Sequence, residues 1–225
     1  MVDVVRRRGG RGRGRTAEHL QPLGDVAAQY ASMGWPVCVG AHTYRGTRAA
    51  MERGRACSCD RVGCPAPGAH PVSPAWQMQA TVDLNVIQGW WETRPEANVI
   101  LVTGRVFDVL DLPAAAGSAA FGQMEAARVP LGPVAVLGRE RMLFFVVTRG
   151  SPVDEDEWWT SGLDCEPESV VVGLRWHCRD SYVLAPPSRY AAGVTARWLR
   201  PPQEHPLPDA LRLLEYLVDA CEAPS

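Results

Sequence analysis

Four potential metal ligands lie close together in one short stretch of this chain. Three are cysteines and the fourth is a histidine: Cys57, Cys59, Cys64 and His70. The surrounding segment, 40–74, is rich in glycine, proline and arginine, and it is too long for an ordinary connection unless something organises it. Three thiolates and one imidazole form a set that tetrahedral structural zinc favours. The segment therefore predicts a zinc-binding loop inserted into whatever fold surrounds it.

An alternative interpretation of the same segment is a loop of unligated cysteines. The gaps of one, four and five residues between the ligands are not those of a common zinc finger. Against this alternative, four soft ligands within a segment that lacks apolar core residues are hard to explain without a metal. Four protein ligands leave no position for water, so the expected Zn²⁺ is structural and not catalytic.

Cysteine usage indicates a reducing compartment, and the hydropathy pattern indicates a protein that does not span a membrane. The four cysteines outside the metal segment are scattered, and we expect them to be ordinary thiols. With 225 residues, 46% of them hydrophobic and 21% charged, the chain fits one large domain or two small subdomains that share a core. No apolar run approaches the roughly 18 residues that span a bilayer, and the N-terminal arginines are not followed by the apolar stretch of a secretory signal. We expect a cytoplasmic protein with no membrane contact.

An arginine- and glycine-rich sequence, RRRGGRGRGR, lies near the start of the chain. Residues 1–15 contain six arginines and one aspartate, a net charge of +5, so the total of -2 leaves -7 on the remainder. This sequence has no apolar side chains to bury, and we expect residues 1–20 to be a disordered tail. The tail either contacts nucleic acid or is solvated without a specific partner. The mildly acidic remainder does not indicate a wide basic surface for duplex DNA.

Beyond the tail, helical and strand periodicities follow one another in an order typical of an α+β protein. We expect helices packed on a mostly antiparallel sheet, with 21–200 as one domain that contains the zinc segment 57–70, and a C-terminal helix in 201–225 packed on it. The predicted helices cover 23–34, 83–94, 114–128 and 207–221, and the predicted strands cover 35–39, 98–103, 106–112, 134–137, 143–147, 170–176 and 182–185.

Five segments that occur in one order suggest a family. They are AAQYASMGWPV, then CSCDRVGCPAPGAHP, then SPAWQMQATVD with IQGWWETRPEANVILVTG, then VFDVLDLPAAAG, and finally SYVLAPPS. This succession, over about residues 23–198, resembles the N-terminal domain of bifunctional DNA primase/polymerases, which are related to archaeo-eukaryotic primases and are often fused to a helicase. The resemblance implies an RRM-like catalytic sheet, a zinc-bearing insertion, and DNA or nucleotides as partners.

The resemblance also implies nucleotidyl transfer with two Mg²⁺ or Mn²⁺ ions. The family holds these ions with two aspartates spaced two apart, a histidine and a further aspartate. The first aspartate matches Asp111, but the second falls on Pro113, the histidine falls on Met142 and the last aspartate falls near Arg175. Two divalent ions roughly 4 Å apart need several carboxylate oxygens, so one retained carboxylate is not enough.

The residues near Asp111 leave several interpretations open. Asp108 would replace the missing partner only if a bulge intervened, because side chains three apart on a regular strand point to opposite faces. A guanidinium at Arg175 would repel metal ions, but it would attract a phosphate or pair with Asp111. His177 is likewise either a phosphate ligand or a locally hydrogen-bonded residue. Asp111 itself is either the remaining catalytic carboxylate or a strand-end aspartate held by a loop amide or by Arg175.

Three hypotheses about function follow. The leading one is a primase/polymerase-like protein with weak or no nucleotidyl transfer that retains nucleotide or DNA binding. The second is an active enzyme whose metal site is rebuilt from other carboxylates, for which Glu140, Asp164 and Asp180 are the candidates. The third is a non-enzymatic binding or scaffold protein. No helicase sequence is present in the 225 residues, so a role in replication would need a separate helicase or replication protein.

Overall fold

The computed structural model describes residues 21–44, 57–148, 171–190 and 194–223. Five helices and nine strands lie within these ranges. The helices are α1 (Leu23–Ser32), α2 (Trp76–Gln79), α3 (Leu84–Thr93), α4 (Ala114–Ala126) and α5 (Leu211–Glu222). The strands are β1 (Val37–Gly40), β2 (Asn98–Val102), β3 (Phe107–Pro113), β4 (Val134–Leu137), β5 (Arg141–Val147), β6 (Arg175–His177), β7 (Tyr182–Leu184), β8 (Arg189–Tyr190) and β9 (Val194–Arg200).

Local sequence signals fix the ends of the first long helices. α1 ends just before Gly34, whose φ of 79° is the left-handed conformation that glycine adopts most easily at a helix C-terminus. The Asp83 side chain caps α3, because Oδ1 accepts hydrogen bonds from the backbone N–H groups of Asn85 at 2.8 Å and Val86 at 3.4 Å. The stop signal is Pro95, since the residue before a proline is driven out of the helical conformation.

The strands form two antiparallel sheets instead of the single sheet that was expected. One sheet has three strands in the order β1-β2-β7, and the other has six in the order β6-β3-β5-β4-β9-β8. β3 lies between β5 and β6, with Asp111 paired to Leu143 on one side and to Arg175 on the other. The pairing of β3 with β5 runs without a shift from Phe107 to Pro113. A regular strand of this kind alternates its side chains strictly between the two faces of the sheet.

That alternation divides the hydrophobic interior into layers. Phe107 and Val109 face a core shared with α1, α3 and the three-stranded sheet, where the Trp35 ring stacks on Phe145 with centroids 5.4 Å apart. Leu110 and Leu112 face the opposite core, which α4 and α5 cover. The six-stranded sheet is therefore covered on both faces, and the side to which a β3 residue points decides which layer it joins.

The expected mixture of helices and antiparallel strands is confirmed, with three additions: the short helix α2 and the strands β8 and β9. The strands β8 and β9 were missed, although Ala196 is buried and Trp198 half-buried on β9 while Arg197, between them, is exposed. The C-terminal helix α5 buries Leu213 and Leu217 against the second core. The expected tail, 1–20, lies outside the described residues. No helix in the described part of the chain combines the length and the apolar character needed to cross a membrane.

Candidate functional site

The four predicted metal ligands are brought together in the loop between β1 and α2. One ligand atom from each of Cys57, Cys59, Cys64 and His70 lies within 4.8 Å of the others. Such separations suit four atoms that surround a single tetrahedral ion, and the Cys₃His set matches structural zinc. Cys57 is buried and the other three are half-buried. The residues present therefore fit a zinc ion, whose role there would be to hold the loop in one shape.

Backbone groups orient two of these ligands. His70 Nδ1 lies 2.8 Å from the Pro71 carbonyl, which accepts only, so Nδ1 carries the proton and Nε2 keeps its lone pair. Nε2 in turn lies 3.4 Å from Cys57 Sγ and 3.5 Å from Cys64 Sγ. The Gly68 N–H donates to Cys57 Sγ at 3.4 Å. Outer contacts of this kind fix the direction of metal ligands.

The thiols of the cluster differ in how readily they ionise. Burial raises the pKa of Cys57 to about 11, although hydrogen bonds from the Cys59 and Gly68 backbone N–H groups oppose the rise. Burial also opposes ionisation of Cys59, but hydrogen bonds from the Arg61 backbone and from the other cluster side chains outweigh it and lower the pKa of Cys59 to about 7. Cys59 therefore supplies a thiolate near neutral pH more easily than Cys57 does.

A buried asparagine contacts both a distant strand and the loop 57–70 that carries the four potential metal ligands, which we call the metal loop. Asn98 Nδ2 donates to the carbonyls of Gly68 at 2.7 Å and Arg189 at 2.5 Å, and Oδ1 accepts from the Arg189 N–H at 3.0 Å. We call this set of contacts between Gly68, Asn98 and Arg189 the Asn98 junction. Gly68 has φ 78°, and a Cβ there would lie 2.9 Å from the Arg189 carbonyl oxygen and 3.2 Å from Tyr190 Cα. The metal loop thus packs directly against β8.

The other scattered cysteines take no part in this cluster. Cys38 and Cys178 are buried in hydrophobic cores, and burial raises the pKa of Cys38 to about 12. Cys221 is half-buried against the core that α4 and α5 cover. Cys165 lies outside the described residues.

Asp111, near the end of β3, is held by an arginine that the sequence analysis did not single out. Arg141 Nε donates to Asp111 Oδ1 at 2.7 Å, and Arg141 Nη2 donates to the main-chain carbonyls of Asp111 at 2.9 Å and Gly173 at 3.0 Å. The Asp111 side chain is only 8% exposed, and that of Arg141 22%. This arginine was predictable in principle, since Arg141 and Leu143 share a face of β5 and Leu143 pairs with Asp111.

His177 contacts the second carboxylate oxygen of Asp111. His177 Nε2 lies 3.2 Å from Asp111 Oδ2, and Nδ1 lies 2.9 Å from Ser181 Oγ. An ionised carboxylate only accepts, so Nε2 carries a proton, and in a neutral imidazole Nδ1 then accepts from the Ser181 hydroxyl. Both oxygens of Asp111 are therefore engaged, one by Arg141 and one by His177.

Arg175 lies beside this group without joining it. It is the cross-strand partner of Asp111 on β6, so the two side chains leave the same face of the sheet. The Arg175 side chain is exposed, and within the described ranges neither Asp111 nor any other carboxylate pairs with it. Of the two roles expected for Arg175, pairing with Asp111 is wrong, because Arg141 and His177 already fill the carboxylate.

Residues 27–210 match the model of the family described as "Bifunctional DNA primase/polymerase, N-terminal". The chain belongs to this family. A comparison with curated proteins gives no match.

The primase/polymerase resemblance placed a metal-binding histidine at Met142, and the structure puts that residue on the wrong face. Met142 is buried in the core covered by α4 and α5, where it packs on Gly117; a Cβ at Gly117 would lie 2.7 Å from Met142 Cβ. Arg141, one position earlier, shares the face of Asp111. In this primase/polymerase domain, the β5 residue that contacts Asp111 is therefore the positively charged Arg141.

Other acidic residues do not gather around Asp111 in the described part of this primase/polymerase domain. Asp108 points to the opposite face, as expected, where its Oδ2 accepts from Trp176 Nε1 at 3.2 Å. Glu140 and Asp180 are exposed, and Asp164 lies outside the described residues. Over those ranges, the Cys57 cluster is the one set of three or more His, Cys, Asp or Glu side chains close enough to share an ion.

A buried tyrosine on β8 lies in a neighbouring core, beside the turn between β4 and β5. The Tyr190 side chain is buried, and its hydroxyl has no hydrogen-bond partner within the described ranges, an arrangement that costs about 1–3 kcal/mol. The hydroxyl oxygen would lie 3.1 Å from a Cβ at Gly138, in the turn between β4 and β5. Burial raises the pKa of Tyr190 to about 12, and the negative charges of Glu140 and Asp111 add to the effect.

Proposed function

We propose that this chain is a primase/polymerase-like protein with weak or no nucleotidyl transfer that retains nucleotide or DNA binding. The observation that carries the proposal is the state of Asp111, whose two carboxylate oxygens are taken by Arg141 and His177. In this proposal the six-stranded sheet, on which Asp111 lies, is the equivalent of the RRM-like catalytic sheet of the family.

The chemistry of two-metal transfer explains why this state matters. Two divalent ions roughly 4 Å apart must be held by several carboxylate oxygens while they clamp the attacking and leaving groups. Here the one carboxylate has a guanidinium 2.7 Å away, at a position that a metal ion would need. Two positive charges that compete for one carboxylate repel each other strongly in a poorly solvated site. Asp111 is therefore better suited to hold the sheet together than to hold Mg²⁺ or Mn²⁺.

The metal that the chain does fit is a structural one. Zinc at Cys57, Cys59, Cys64 and His70 would have no open coordination position, so it would supply loop stability and no reaction step. His70, oriented through Pro71, and Cys57, which accepts from Gly68, are the ligands whose directions the backbone already sets.

Template-dependent incorporation of nucleotides is the direct test. The purified protein is given a primed and an unprimed DNA template, all four nucleoside triphosphates, and Mg²⁺ or Mn²⁺, with Asp111→Ala measured in parallel. We expect incorporation by the wild-type protein to stay at the level of Asp111→Ala. Robust extension that Asp111→Ala abolishes would overturn the proposal and favour an active enzyme with a rearranged metal site.

The biological setting is also proposed on the basis of the family. Its members often carry a helicase on the same chain, so we expect a cytoplasmic protein that works in DNA replication beside a separate helicase or replication protein. Crosslinking of the protein to replicating DNA in cells, with identification of the helicase crosslinked beside it, tests this setting. Absence of the protein from replicating DNA would argue against it.

A further inference from the structure

An aspartate, a histidine and a serine form one hydrogen-bonded series at the end of β6. His177 Nε2 lies 3.2 Å from Asp111 Oδ2, and His177 Nδ1 lies 2.9 Å from Ser181 Oγ. With the neutral imidazole protonated at Nε2, Nδ1 is the acceptor and the Ser181 hydroxyl is the donor. In this order of groups a serine hydroxyl becomes a nucleophile, because the imidazole takes its proton and the carboxylate then stabilises the imidazolium.

The surroundings of Asp111 suit the role of orienting the histidine. The Asp111 side chain is only 8% exposed, and Arg141 Nε donates to its Oδ1 at 2.7 Å, so the carboxylate keeps one orientation with Oδ2 toward His177. A carboxylate in this position fixes both the tautomer and the direction of the ring. The two ring nitrogens are exchanged relative to the Ser-His-Asp set of serine proteases, but either nitrogen of an imidazole can accept a proton.

The turn that carries Ser181 also supplies a donor for developing negative charge. Ser181 is half-buried and follows Asp180, whose φ of 57° is left-handed. The Ser181 main-chain carbonyl accepts from the Thr103 N–H at 3.0 Å, whereas the Ser181 N–H has no acceptor within the described ranges. The main-chain N–H of a nucleophilic serine is one of the donors that stabilise the oxyanion in serine hydrolases. The Thr103 contact thus holds the turn and leaves this donor available.

An open groove with mostly apolar walls adjoins the same turn. Its volume is about 530 Å³, and the residues that line it are Pro74, Ala75, Gln77, Met78 and Asp180. Both chain neighbours of Ser181 reach this region, since Asp180 lines the groove and the Tyr182 ring packs edge-on against Trp76 of α2, with centroids 5.1 Å apart. The Met78 side chain is 85% exposed. The groove therefore offers apolar surface beside Ser181 for a small apolar group of a ligand.

We propose that Ser181 is the nucleophile of an esterase, with His177 as general base and Asp111 as the residue that orients it. This inference goes beyond the proposed function, because it concerns a different reaction that uses no nucleotide. The substrate class is a carboxylic ester with a short apolar acyl chain, which the groove at Met78 accepts.

The reaction has two steps. Ser181 Oγ bonds to the ester carbonyl carbon while its proton moves to His177 Nδ1. The bond from that carbon to the alcohol oxygen breaks, and the alcohol leaves with the proton from Nδ1. Water then attacks the acyl-serine and gives a proton to Nδ1. That proton returns to Ser181 Oγ as the carboxylic acid leaves, so ester and water become acid and alcohol.

Covalent labelling of the zinc-loaded wild-type protein tests the nucleophile without any variant. The probe is an alkyl fluorophosphonate, which forms a stable bond from a serine Oγ to phosphorus with loss of fluoride, and peptide mass spectrometry locates the adduct. We expect one adduct per chain, on Ser181, formed at least about tenfold faster in the folded protein than in urea. A protein without an adduct on Ser181, or one labelled equally fast when unfolded, would overturn the proposal, since the hydroxyl would then only hold the turn through His177.

Ser181→Ala and Ser118→Ala form a matched pair for ester hydrolysis. Both remove a hydrogen-bonded hydroxyl, but Ser118 donates to the Ala114 carbonyl on α4, which covers the opposite face of the six-stranded sheet. With p-nitrophenyl butyrate as substrate, we expect kcat to fall at least about 100-fold in Ser181→Ala and in Asp111→Asn, and less than about twofold in Ser118→Ala. Equal rates in the two serine variants, or no hydrolysis by the wild type above the uncatalysed rate, would overturn the proposal.

Substitution of Met78 tests the groove as the place of the acyl chain. Met78→Glu puts a charge on its apolar wall, whereas Leu211→Glu puts one on an exposed leucine of α5, on the other side of the six-stranded sheet. We expect kcat/KM for p-nitrophenyl butyrate to fall about tenfold in Met78→Glu and less than about twofold in Leu211→Glu. The shorter acetate ester should lose less than about threefold in Met78→Glu. Equal losses for the two esters would overturn the groove as the acyl site.

Discussion

Arg141 donates two hydrogen bonds to Asp111. Its Nε donates to the carboxylate at 2.7 Å, and its Nη2 donates to the main-chain carbonyl at 2.9 Å. The same Nη2 reaches the Gly173 carbonyl, so one guanidinium joins β3, β5 and the turn before β6. A side chain that joins three segments contributes to folding stability as well as to the charge of the site. Its removal therefore lowers the folding stability and also takes one positive charge from the site.

Substitution of Arg141 tests its structural effect. Arg141→Ala leaves the largely buried Asp111 carboxylate with His177 as its remaining side-chain partner, and we expect the free energy of unfolding to fall by about 2 kcal/mol. Urea denaturation measures the change. Arg139→Ala, which removes an exposed arginine from the neighbouring turn, is the control and should cost less than about 0.5 kcal/mol. Equal stability of the two variants would contradict the structural role of Arg141.

Metal analysis tests the proposal that the metal loop holds zinc. We expect about one zinc ion per chain by elemental analysis of the wild-type protein, and loss of that ion in Cys57→Ala. Because the metal stabilises only the folded loop, the melting temperature should fall in this variant and also when a chelator is added to the wild type. Cys221→Ala removes a half-buried cysteine outside the cluster and should retain its zinc. A wild-type protein without zinc after purification in zinc-containing buffer would contradict the assignment.

Two glycines of the metal loop offer a comparison of backbone strain with crowding. Gly63 and Gly68 both have positive φ, but a Cβ at Gly63 would meet nothing within 4 Å, whereas one at Gly68 would approach Arg189 to 2.9 Å. Gly63→Ala should therefore cost only the conformational penalty of about 1 kcal/mol, and Gly68→Ala distinctly more. Thermal denaturation of the zinc-loaded variants measures the difference. Equal losses would mean that the loop moves away from β8 without cost.

The Asn98 junction predicts a large effect from a small substitution. Asn98→Ala leaves the buried carbonyls of Gly68 and Arg189 without their common donor, and we expect a loss of about 2–4 kcal/mol. Asn85→Ala, in the exposed first turn of α3, is the control and should change stability by less than about 0.5 kcal/mol. Chemical denaturation of both variants distinguishes a buried junction from an ordinary asparagine.

The cluster of potential metal ligands was predictable from the sequence because its four residues are close together along the chain. Four ligands within one short segment can reach one ion whatever the rest of the fold does, and the structure brings Cys57, Cys59, Cys64 and His70 together. The Asp83 cap of α3 and the glycine at position 34 after α1 depend on local sequence in the same way, since each acts on its immediate neighbours.

The Asp111 site was only partly predictable because it depends on strand register. A shift of one residue in the assignment of β5 exchanges Met142 for Arg141 and moves the side chain to the other face of the sheet. The place of Tyr190 beside the turn between β4 and β5 was missed for a different reason, since it depends on β8 and β9, which were not predicted. Long-range pairing of strands leaves little local signal in a single sequence.

The Asn98 junction also has a consequence for the order of assembly. The four potential metal ligands are synthesised before Arg189, which contacts Gly68 through Asn98 and is 91 residues beyond Asn98. During synthesis these four residues can therefore approach one another before the strand that supports their loop exists. Closing so long a stretch of chain is slow compared with local contacts. The final shape of the loop is thus set late, by a segment remote from any of its ligands.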